Sequence, residues 1–466
     1  MGRFAVLLLI AVSLAACQPK AVSVRPPLEG EAEVYVYVQP LPQEAERLRF
    51  TLANLSLVRG DGGEVPLSLR LTGFRREEMR RQRLLASARV PAGAYAGLSI
   101  RVKDASLRTE DGEASLLVPE EPTVLPFPFR AARKRTTVLT LSFLAEESVR
   151  ARYSLVPTFS ASIPGKPLTG ATGYVANPDA HNVVVFDKVS GEVAGAIATG
   201  MGPRGVAIDP RSRRAYVVLP PDRAIDVIDM EQGEVVNRIV LNAADNPQEV
   251  ALTPGGGTLL CVNQGSDSVG FIDPVALVET SRVAVGRGPN SVLVDPTGRS
   301  AYVFNTLSNT ITIVDIPRRA VSLTGGTEMG PLRGQLNRRG DRLYVHYLHS
   351  PFINVLDAAT LTLQKRFFAG MGVTSIKVDP RTDFLYVSRR GSESVEMYDP
   401  YSLIPAGSLP VGDEVSYMAY DGERSNLYLL LPNRQTVKAV NLVGRFLVSE
   451  MDIGDTPSWL ALMGER

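Results

Sequence analysis

The sequence has few of the residues that most often build catalytic and metal centres. Its 466 residues include two cysteines, three histidines and one tryptophan. Two cysteines cannot form a disulfide framework, and no Cys-x-x-Cys-His stretch occurs, which excludes covalent c-type haem. Three scattered histidines give no pattern of zinc or iron ligands. We therefore expect no cofactor.

Long apolar runs and an excess of one charge are also missing. No stretch of 18 residues is apolar throughout, so no segment has the length of a transmembrane helix. The chain has 50 basic and 49 acidic residues, a balance that argues against general affinity for nucleic acid. No Gly-x-Ser-x-Gly elbow is present, and no Ser/His/Asp set can be chosen from local sequence.

Residues 1–16 have the features of a signal peptide. Arg3 precedes an apolar run over residues 4–12, and Ser-Leu-Ala-Ala then leads into Cys17. These residues resemble the lipobox of bacterial lipoproteins, in which the signal is cleaved before a cysteine that becomes acylated. The alternative is an ordinary secretory signal with a chance cysteine.

The lipobox resemblance implies a place in the cell. Lipid on Cys17 would be the only attachment to a membrane, and the proline-containing residues 17–31 would form a flexible tether. Gln18, rather than aspartate, follows the cysteine. By resemblance to Gram-negative sorting rules, this favours a lipid-anchored protein of the outer membrane, on its periplasmic or outward face.

Residues 32–165 contain no repeat and predict an antiparallel β-sandwich. Runs rich in β-formers, separated by turn signals, cover residues 33–39, 48–59, 65–71, 84–90, 95–102 and 136–143. Gly93, Tyr95, Leu98 and Ile100 form a G-x-Y-x-x-L-x-I pattern that resembles a strand from an uncharacterised family of β-domains in bacterial lipoproteins. Residues 75–83 and 130–135 are rich in arginine, which indicates solvated loops or, alternatively, contact with an anionic envelope polysaccharide.

Residues 173–466 repeat about every 42 residues, and seven copies fit. Equivalent positions, spaced by 42 or 44 residues, are Tyr174, Tyr216, Leu260, Tyr302, Tyr344, Tyr386 and Tyr428. Thirteen residues after each stands an aspartate, or Asn441 in the last copy. Four short strands in such a repeat are typical of a β-propeller blade, so the chain is expected to be all-β with a seven-bladed propeller.

The repeat consensus resembles a known family. Tyr-Val opens each copy, Val-x-Val-Ile-Asp lies in the middle and Gly-Pro-x-x-Val-Ala-Ile-Asp-Pro ends it, which is similar to the YVTN family of β-propeller repeats. The last residues, 457–463, match residues 203–209, the expected innermost strand of a blade. We therefore expect the C-terminal strand to pair beside Tyr174 and close the ring.

Sequence variation is concentrated where the chain enters the innermost strands. Constant strand patterns there carry different polar residues in each blade, which indicates a site for a small polar ligand, a peptide or a protein at the mouth of the channel. A channel mouth that holds only water is the alternative. The candidate ring residues are Arg204, Gln248, Glu249, Asn290, Arg333, Thr374, Ser416, Tyr417, Ser458 and Trp459.

Three loop carboxylates on neighbouring blades, Asp413, Glu414 and Asp455, are weak candidates for calcium ligands. Without a catalytic constellation, the sequence favours a lipid-anchored binding or scaffolding protein over an enzyme. One alternative is a lactonase-like hydrolytic propeller, for which Arg204, Glu249, Arg333 and Tyr417 would supply the chemistry. Another is a purely structural protein of the surface or of a biofilm.

Overall fold

The computed structural model describes residues 27–110, 112–151 and 153–465. The expected signal peptide, Cys17 and residues 18–26 of the expected tether lie outside the described residues. Among those that are described, no helix is both long and apolar enough to cross a bilayer.

Two β-sheets packed face to face form the N-terminal part of the chain. Strands of the first sheet are Phe159–Ser162, Thr136–Phe143, Glu31–Val38, Arg83–Pro91 and Ser68–Leu69, in that spatial order. The second contains Glu64–Pro66, Leu48–Arg59, Gly93–Thr109 and Gly112–Ser115, with Gly73–Arg75 and Thr123–Ala131 paired alongside. Val149–Arg150 and Ser154–Leu155 form a small hairpin after the short α-helix Ala145–Ser148. Within the described residues, the 3₁₀ turns are Gln43–Ala45, Thr169–Ala171, Gln264–Ser266 and Pro432–Arg434.

The sandwich is antiparallel with one exception. Glu31–Val38 runs parallel to Thr136–Phe143, with Glu33 opposite Thr136. The sequence pattern also missed the strand Thr123–Ala131, because its two prolines argue against a central strand. It pairs along Gly93–Thr109, where a Cβ on Gly97 would lie 2.1 Å from the Leu125 carbonyl oxygen. The glycine therefore permits this close approach.

Seven four-stranded antiparallel sheets make up the described part of the chain after residue 171. Each sheet is a propeller blade, and its strands are named in order from the innermost to the outermost. The blades are blade 1 (Trp459–Leu462, Thr172–Asn177, Asn182–Asp187, Glu192–Ala198), blade 2 (Val206–Asp209, Arg214–Leu219, Ala224–Asp229, Glu234–Val240), blade 3 (Pro247–Leu252, Leu259–Asn263, Ser268–Asp273, Val278–Ala284), blade 4 (Pro289–Val294, Ser300–Asn305, Thr310–Asp315, Ala320–Gly326), blade 5 (Pro331–Leu336, Arg342–Tyr347, Phe352–Asp357, Leu363–Phe368), blade 6 (Val373–Val378, Leu385–Arg389, Ser394–Tyr398, Pro405–Pro410) and blade 7 (Tyr417–Asp421, Asn426–Leu431, Thr436–Asn441, Phe446–Asp452).

The C-terminal strand closes the ring, as the repeat predicts. Trp459–Leu462 pairs antiparallel with Thr172–Asn177, with Leu460 opposite Val175. Innermost strands of neighbouring blades contact one another around the whole ring, and the C-terminal strand contacts both of its neighbours. The first propeller strand in sequence and the C-terminal strand share this sheet, so blade 1 has four strands like the other blades.

Two residues that recur in the blades, an aspartate and a tyrosine, explain why the copies keep a constant spacing. The recurrent aspartate opens a turn: Asp187 Oδ1 accepts from the backbone N–H groups of Val189 and Ser190, and equivalent bonds recur at the other blades. The recurrent tyrosines are buried, and the hydroxyls of Tyr216, Tyr302 and Tyr428 donate to backbone carbonyls of the neighbouring blade. Tyr216 Oη, for example, donates to the Pro274 carbonyl across 3.2 Å. The recurrent aspartates and tyrosines therefore have structural roles.

The sandwich packs directly on blades 1 and 7. Tyr35 and Tyr37 face away from the sandwich core. They lie in a hydrophobic cluster with propeller residues such as Val184 and Ile453. Tyr35 Oη accepts a hydrogen bond from Asn182 Nδ2 at 2.9 Å, and Tyr37 Oη donates to the Asp452 carbonyl at 3.1 Å. The two parts of the chain therefore share one buried interface.

Asp452 is the polar centre of this interface. Its Oδ1 accepts from Arg81 Nη1 at 2.6 Å, and its Oδ2 accepts from Arg83 Nε at 2.7 Å and from the Leu84 backbone N–H at 3.2 Å. The arginine-rich stretch 75–83 was expected to be a solvated loop. That expectation is wrong for Arg81 and Arg83, because carboxylates of the propeller accept hydrogen bonds from their guanidinium groups. Gln82, which lies between them in sequence, also accepts a hydrogen bond from the Val193 N–H group of blade 1.

Candidate functional site

Polar residues from five blades meet at one end of the propeller channel. Six of the ten candidate ring residues surround a cavity of about 200 Å³: Arg204, Gln248, Asn290, Arg333, Ser458 and Trp459. They come from blades 2, 3, 4, 5 and 1. Each of the six residues lies just before an innermost strand or among its first three residues. Because seven such strands surround one axis, their starting residues lie close together. The repeat therefore places these residues around the channel. We call this cavity the cup.

Arg333 crosses the channel and forms the floor of the cup. It belongs to blade 5, yet its Nη1 lies 2.8 Å from Oε2 of Glu249 on blade 3. Its guanidinium carbon is 4.4 Å from the ring centroid of Trp459 on blade 1 and 5.5 Å from that of Tyr417 on blade 7. One cation thus contacts three other blades. A planar guanidinium can pair with a carboxylate and stack on aromatic rings at the same time.

The two aromatic residues of the floor also support each other. The Tyr417 and Trp459 ring centroids are 4.5 Å apart, with 31° between the planes. Indole Nε1 of Trp459 donates to the Val206 carbonyl at 3.2 Å, so the indole N–H has its hydrogen-bond partner on blade 2. Burial raises the pKa of the Tyr417 phenol far above its ordinary value, so this hydroxyl stays protonated.

The rim of the cup is hydrogen-bonded but still cationic. Arg204 Nη1 donates to Gln248 Oε1 at 2.8 Å, and Gln248 Nε2 donates to the Asn246 carbonyl at 3.2 Å. Asn290 Nδ2 donates to the Leu332 carbonyl at 3.4 Å. Within the described residues, no carboxylate forms an ion pair with Arg204, so its charge is uncompensated.

Two ring candidates do not reach the cup. The Thr374 hydroxyl donates to the Val415 carbonyl at 2.5 Å, and the Ser416 hydroxyl bonds the Leu430 carbonyl at 3.5 Å. The Thr374 bond links blade 6 to the segment that enters blade 7, and the Ser416 bond lies within blade 7. Both residues are positioned at the innermost strands, as predicted, but they are not among the residues that line the cavity.

Glu249 is the buried carboxylate beneath the floor. Its exposed fraction is 6 %. Burial raises its pKa from 4.5 to about 7, although Arg333 and the Val292 backbone N–H lower it in part. A carboxyl with such a pKa changes protonation near neutral pH and can act as an acid or a base.

His346 is a buried neighbour of the floor. It lies opposite Arg333 in the strand register and is 1 % exposed. Burial and the Arg333 charge lower its pKa to about 3, so the imidazole is neutral. Neither ring nitrogen has a hydrogen-bond partner of ordinary geometry. Equivalent positions in most other blades are apolar, so this polar residue is the signal from which sequence reasoning could have found it.

The calcium candidates are not gathered into a site. Asp413 Oδ2 pairs with Arg434 Nε at 3.1 Å, and Asp455 Oδ1 pairs with Arg70 Nη2 of the sandwich at 2.9 Å. Glu414 Oε2 accepts from the Gly391 backbone N–H. Each carboxylate thus has a separate partner, which argues against calcium. Across the described residues, no three His, Cys, Asp or Glu side chains are grouped as metal ligands.

The geometry of the cup limits what it can hold. At about 30 Å³ per water, 200 Å³ has room for roughly seven waters, below the size of a drug-like pocket. The cup contains two cations, and one of these is paired with a carboxyl that is half protonated near pH 7. Amide and hydroxyl groups complete the rim. A small anion with hydrogen-bonding groups fits this chemistry.

Comparison with protein families gives one match. Residues 241–402 match the model of the family described as lactonase, 7-bladed beta-propeller. This segment runs from blade 3 into the end of blade 6 and includes Glu249 and Arg333, but it is less than half of the chain. A comparison with curated proteins gives no significant match.

Solved structures with the same fold are distant in sequence. A functionally unknown protein from Desulfotomaculum acetoxidans aligns with a TM-score of 0.54 at 15% identity, over 62% of this chain and 98% of that one. Hydrazine synthase from Kuenenia stuttgartiensis gives 0.52 at 15% identity, over 60% and 96%. The dihydro-heme d1 dehydrogenase NirN gives 0.52 at 13% identity, over 65% and 78%. At these identities the likeness shows a β-propeller fold alone.

Proposed function

We propose that this chain is a lipid-anchored binding protein of the bacterial cell envelope, whose YVTN-type propeller binds a small anionic ligand in the cup. Cys17 carries the lipid, and the most fitting location is the outer membrane. The observation that carries the proposal is Arg333, whose guanidinium reaches from blade 5 to Glu249 of blade 3 and Trp459 of blade 1 and so forms the floor of the cup.

The ligand contacts follow from the charges. Arg204 has no carboxylate partner among the described residues, so it is the group that meets a carboxylate or phosphate. Gln248, Asn290 and Ser458 offer amide and hydroxyl groups around it. Arg333 and Trp459 give a flat floor of mixed charge and aromatic character, which suits a compact polar molecule.

A hydrolytic function is the second candidate. The family match to lactonase propellers and the raised pKa of Glu249, beside the Arg333 guanidinium, both favour it. Glu249 would take a proton from a water, and Arg333 would stabilise the oxyanion that develops on a lactone carbonyl. The buried position of Glu249 beneath Arg333 argues against direct access, which is why binding is the preferred function.

One experiment separates the two candidates. The purified chain is incubated with small aliphatic lactones and with their hydroxy acids, while binding is followed by calorimetry and hydrolysis by loss of the lactone. Saturable binding of the acids without turnover supports the binding function. Turnover that Glu249→Gln abolishes supports the hydrolase. Neither binding nor turnover with any compound contradicts both.

The anchor has its own test. Cys17→Ser should move the protein from the membrane fraction to the soluble envelope fraction, and radiolabelled palmitate should mark only the wild-type chain. If the variant stays with the membrane, the lipid on Cys17 is not what holds the protein there.

A further inference from the structure

A basic loop connects the two sheets of the sandwich. It leads from the strand Thr123–Ala131 in one sheet to Thr136–Phe143 in the other, and residues 130–135 are Arg-Ala-Ala-Arg-Lys-Arg. Arg130, Arg133, Lys134 and Arg135 are exposed. We call residues 130–135 the basic loop.

Only one of its four cations is neutralised. Arg135 forms an ion pair with Glu234 of blade 2. In the described chain, no carboxylate lies within ion-pairing distance of Arg130, Arg133 or Lys134. These three side chains line a groove of about 900 Å³ between the sandwich and blades 1 and 2.

The remaining charges of the groove do not cancel this excess. Asp226 pairs with Arg238, and Glu231 pairs with Arg213. Lys166 adds a further cation and donates to a backbone carbonyl. Among the described lining residues, Glu29 is the one carboxylate that forms no ion pair. Four lining cations that form no ion pair, Arg130, Arg133, Lys134 and Lys166, are therefore opposed by one such carboxylate, Glu29.

The described part of the chain begins beside the basic loop. Because Glu31–Val38 and Thr136–Phe143 are parallel, their N-terminal ends lie at the same end of the sheet. The Lys134 N–H donates to the Glu31 carbonyl at 2.9 Å, and the Glu33 N–H donates to the Arg135 carbonyl at 3.1 Å. Pro27 lines the same groove. Any anchor at the N-terminus is thus attached on this side of the protein.

The distance to the anchor is short. Cys17 and Pro27 are ten positions apart in the sequence, so the distance between them is at most about 33–36 Å. A lipid on Cys17 would therefore hold the basic loop close enough for contact with lipid head groups.

We propose that the basic loop is a membrane-facing surface that binds anionic phospholipid head groups and orients the protein on the bilayer. The proposal rests on the proposed lipidation of Cys17 for its place in the cell, but its binding chemistry is independent of the lipid. A basic side chain near an anionic bilayer strengthens binding about fivefold, so three of them contribute roughly 100-fold. With the lipid as a second signal, attachment becomes stable.

The test uses the chain with Cys17→Ser, so that no acyl group contributes. Its partition onto vesicles of 30% phosphatidylglycerol in phosphatidylcholine is measured by sedimentation at about 10 mM salt, where the screening length is about 30 Å. The expected result is binding to these vesicles and not to pure phosphatidylcholine. Arg130→Gln with Arg133→Gln and Lys134→Gln should weaken the partition by roughly 100-fold.

A matched control removes the same charge elsewhere. Arg299, Arg318 and Arg319 are exposed on blade 4, and Arg319 has a positive φ of 53° that matches the 58° of Lys134. Their change to glutamine should leave the partition unaltered. Equal loss in both triple variants, or no vesicle binding by the parent chain, overturns the proposal. So does binding to a soluble sulfated polysaccharide without binding to vesicles. Failure of palmitate labelling would instead refute the anchor.

Discussion

The guanidinium carbon of Arg333 lies 4.4 Å from the ring centroid of Trp459, although the two residues are 126 positions apart in the sequence and lie on different blades. This contact joins blade 5 to blade 1. Trp459 is also the only tryptophan of the chain, so its fluorescence reports on the floor of the cup without interference from other indoles.

Arg333→Lys should disturb this floor while keeping the charge. A lysine can still pair with Glu249, but it has no planar group to stack on the indole. We expect the emission maximum of Trp459 to shift to longer wavelength as water replaces the guanidinium, with stability lowered by about 1–2 kcal/mol. Arg299→Lys is the control, and an unchanged emission maximum in Arg333→Lys would contradict the stacked geometry.

Glu249 should make stability fall as the pH rises. Its pKa is raised from 4.5 to about 7 in the folded chain, so the folded state binds more protons than the unfolded state between these values. The folded state therefore loses stability through this window and no further above it. Glu249→Gln should remove the loss, so that its stability relative to wild type grows by about 2–3 kcal/mol from pH 4.5 to pH 7.5.

The measurement is urea unfolding at several pH values. Glu77→Gln, at an exposed position with no ion pair among the described residues, should behave as wild type does. A constant difference between Glu249→Gln and wild type across this range would mean that Glu249 does not titrate in the fold.

Asp452→Ala should weaken the contact between the sandwich and the propeller. The change leaves Arg81, Arg83 and the Leu84 N–H without their common acceptor. Since charged hydrogen bonds contribute about 1.5–3 kcal/mol each and these are partly open to water, we expect a loss of about 2–4 kcal/mol. Calorimetry should then resolve two unfolding transitions. A single transition at the wild-type temperature would show that the two parts do not depend on Asp452.

Leu460→Ala should open the ring closure. Leu460 is fully buried, pairs opposite Val175 and packs in the cluster shared by blades 1 and 7. Removal of its side chain is expected to cost about 2–5 kcal/mol. Leu168→Ala, where the leucine is 79% exposed, is the control. Hydrogen exchange should then be faster in the Thr172–Asn177 strand than in blade 4; uniform protection would argue that closure does not depend on this strand.

The repeat register was sufficient to predict the blades, their turns and the closing strand, since each copy repeats the same local constraints. It also predicted that residues such as Arg204 and Trp459 meet at the channel. It could not predict that Arg333 crosses the channel, because the reach of one side chain depends on the smaller residues opposite it. Whether Thr374 and Ser416 face the cavity or the backbone likewise depended on rotamers.

The interface between the sandwich and the propeller was missed, although one strand carried a signal. Residues 34–38 read Val-Tyr-Val-Tyr-Val, apolar on both faces, which is typical of a strand covered on both sides. The valines face the sandwich core and the tyrosines face the propeller. The second face showed that a partner exists, but only the structure identifies it as blades 1 and 7.

The most direct test of the cup is a titration of Trp459 fluorescence with small mono- and dicarboxylates. Binding above the Arg333 and Trp459 floor should change the emission in a saturable way. Arg204→Gln should weaken that binding by about 10- to 100-fold, since a charged hydrogen bond is lost, and Arg299→Gln should leave it unchanged. A response that is equal in all three proteins, or absent in each, would contradict a ligand site in the cup.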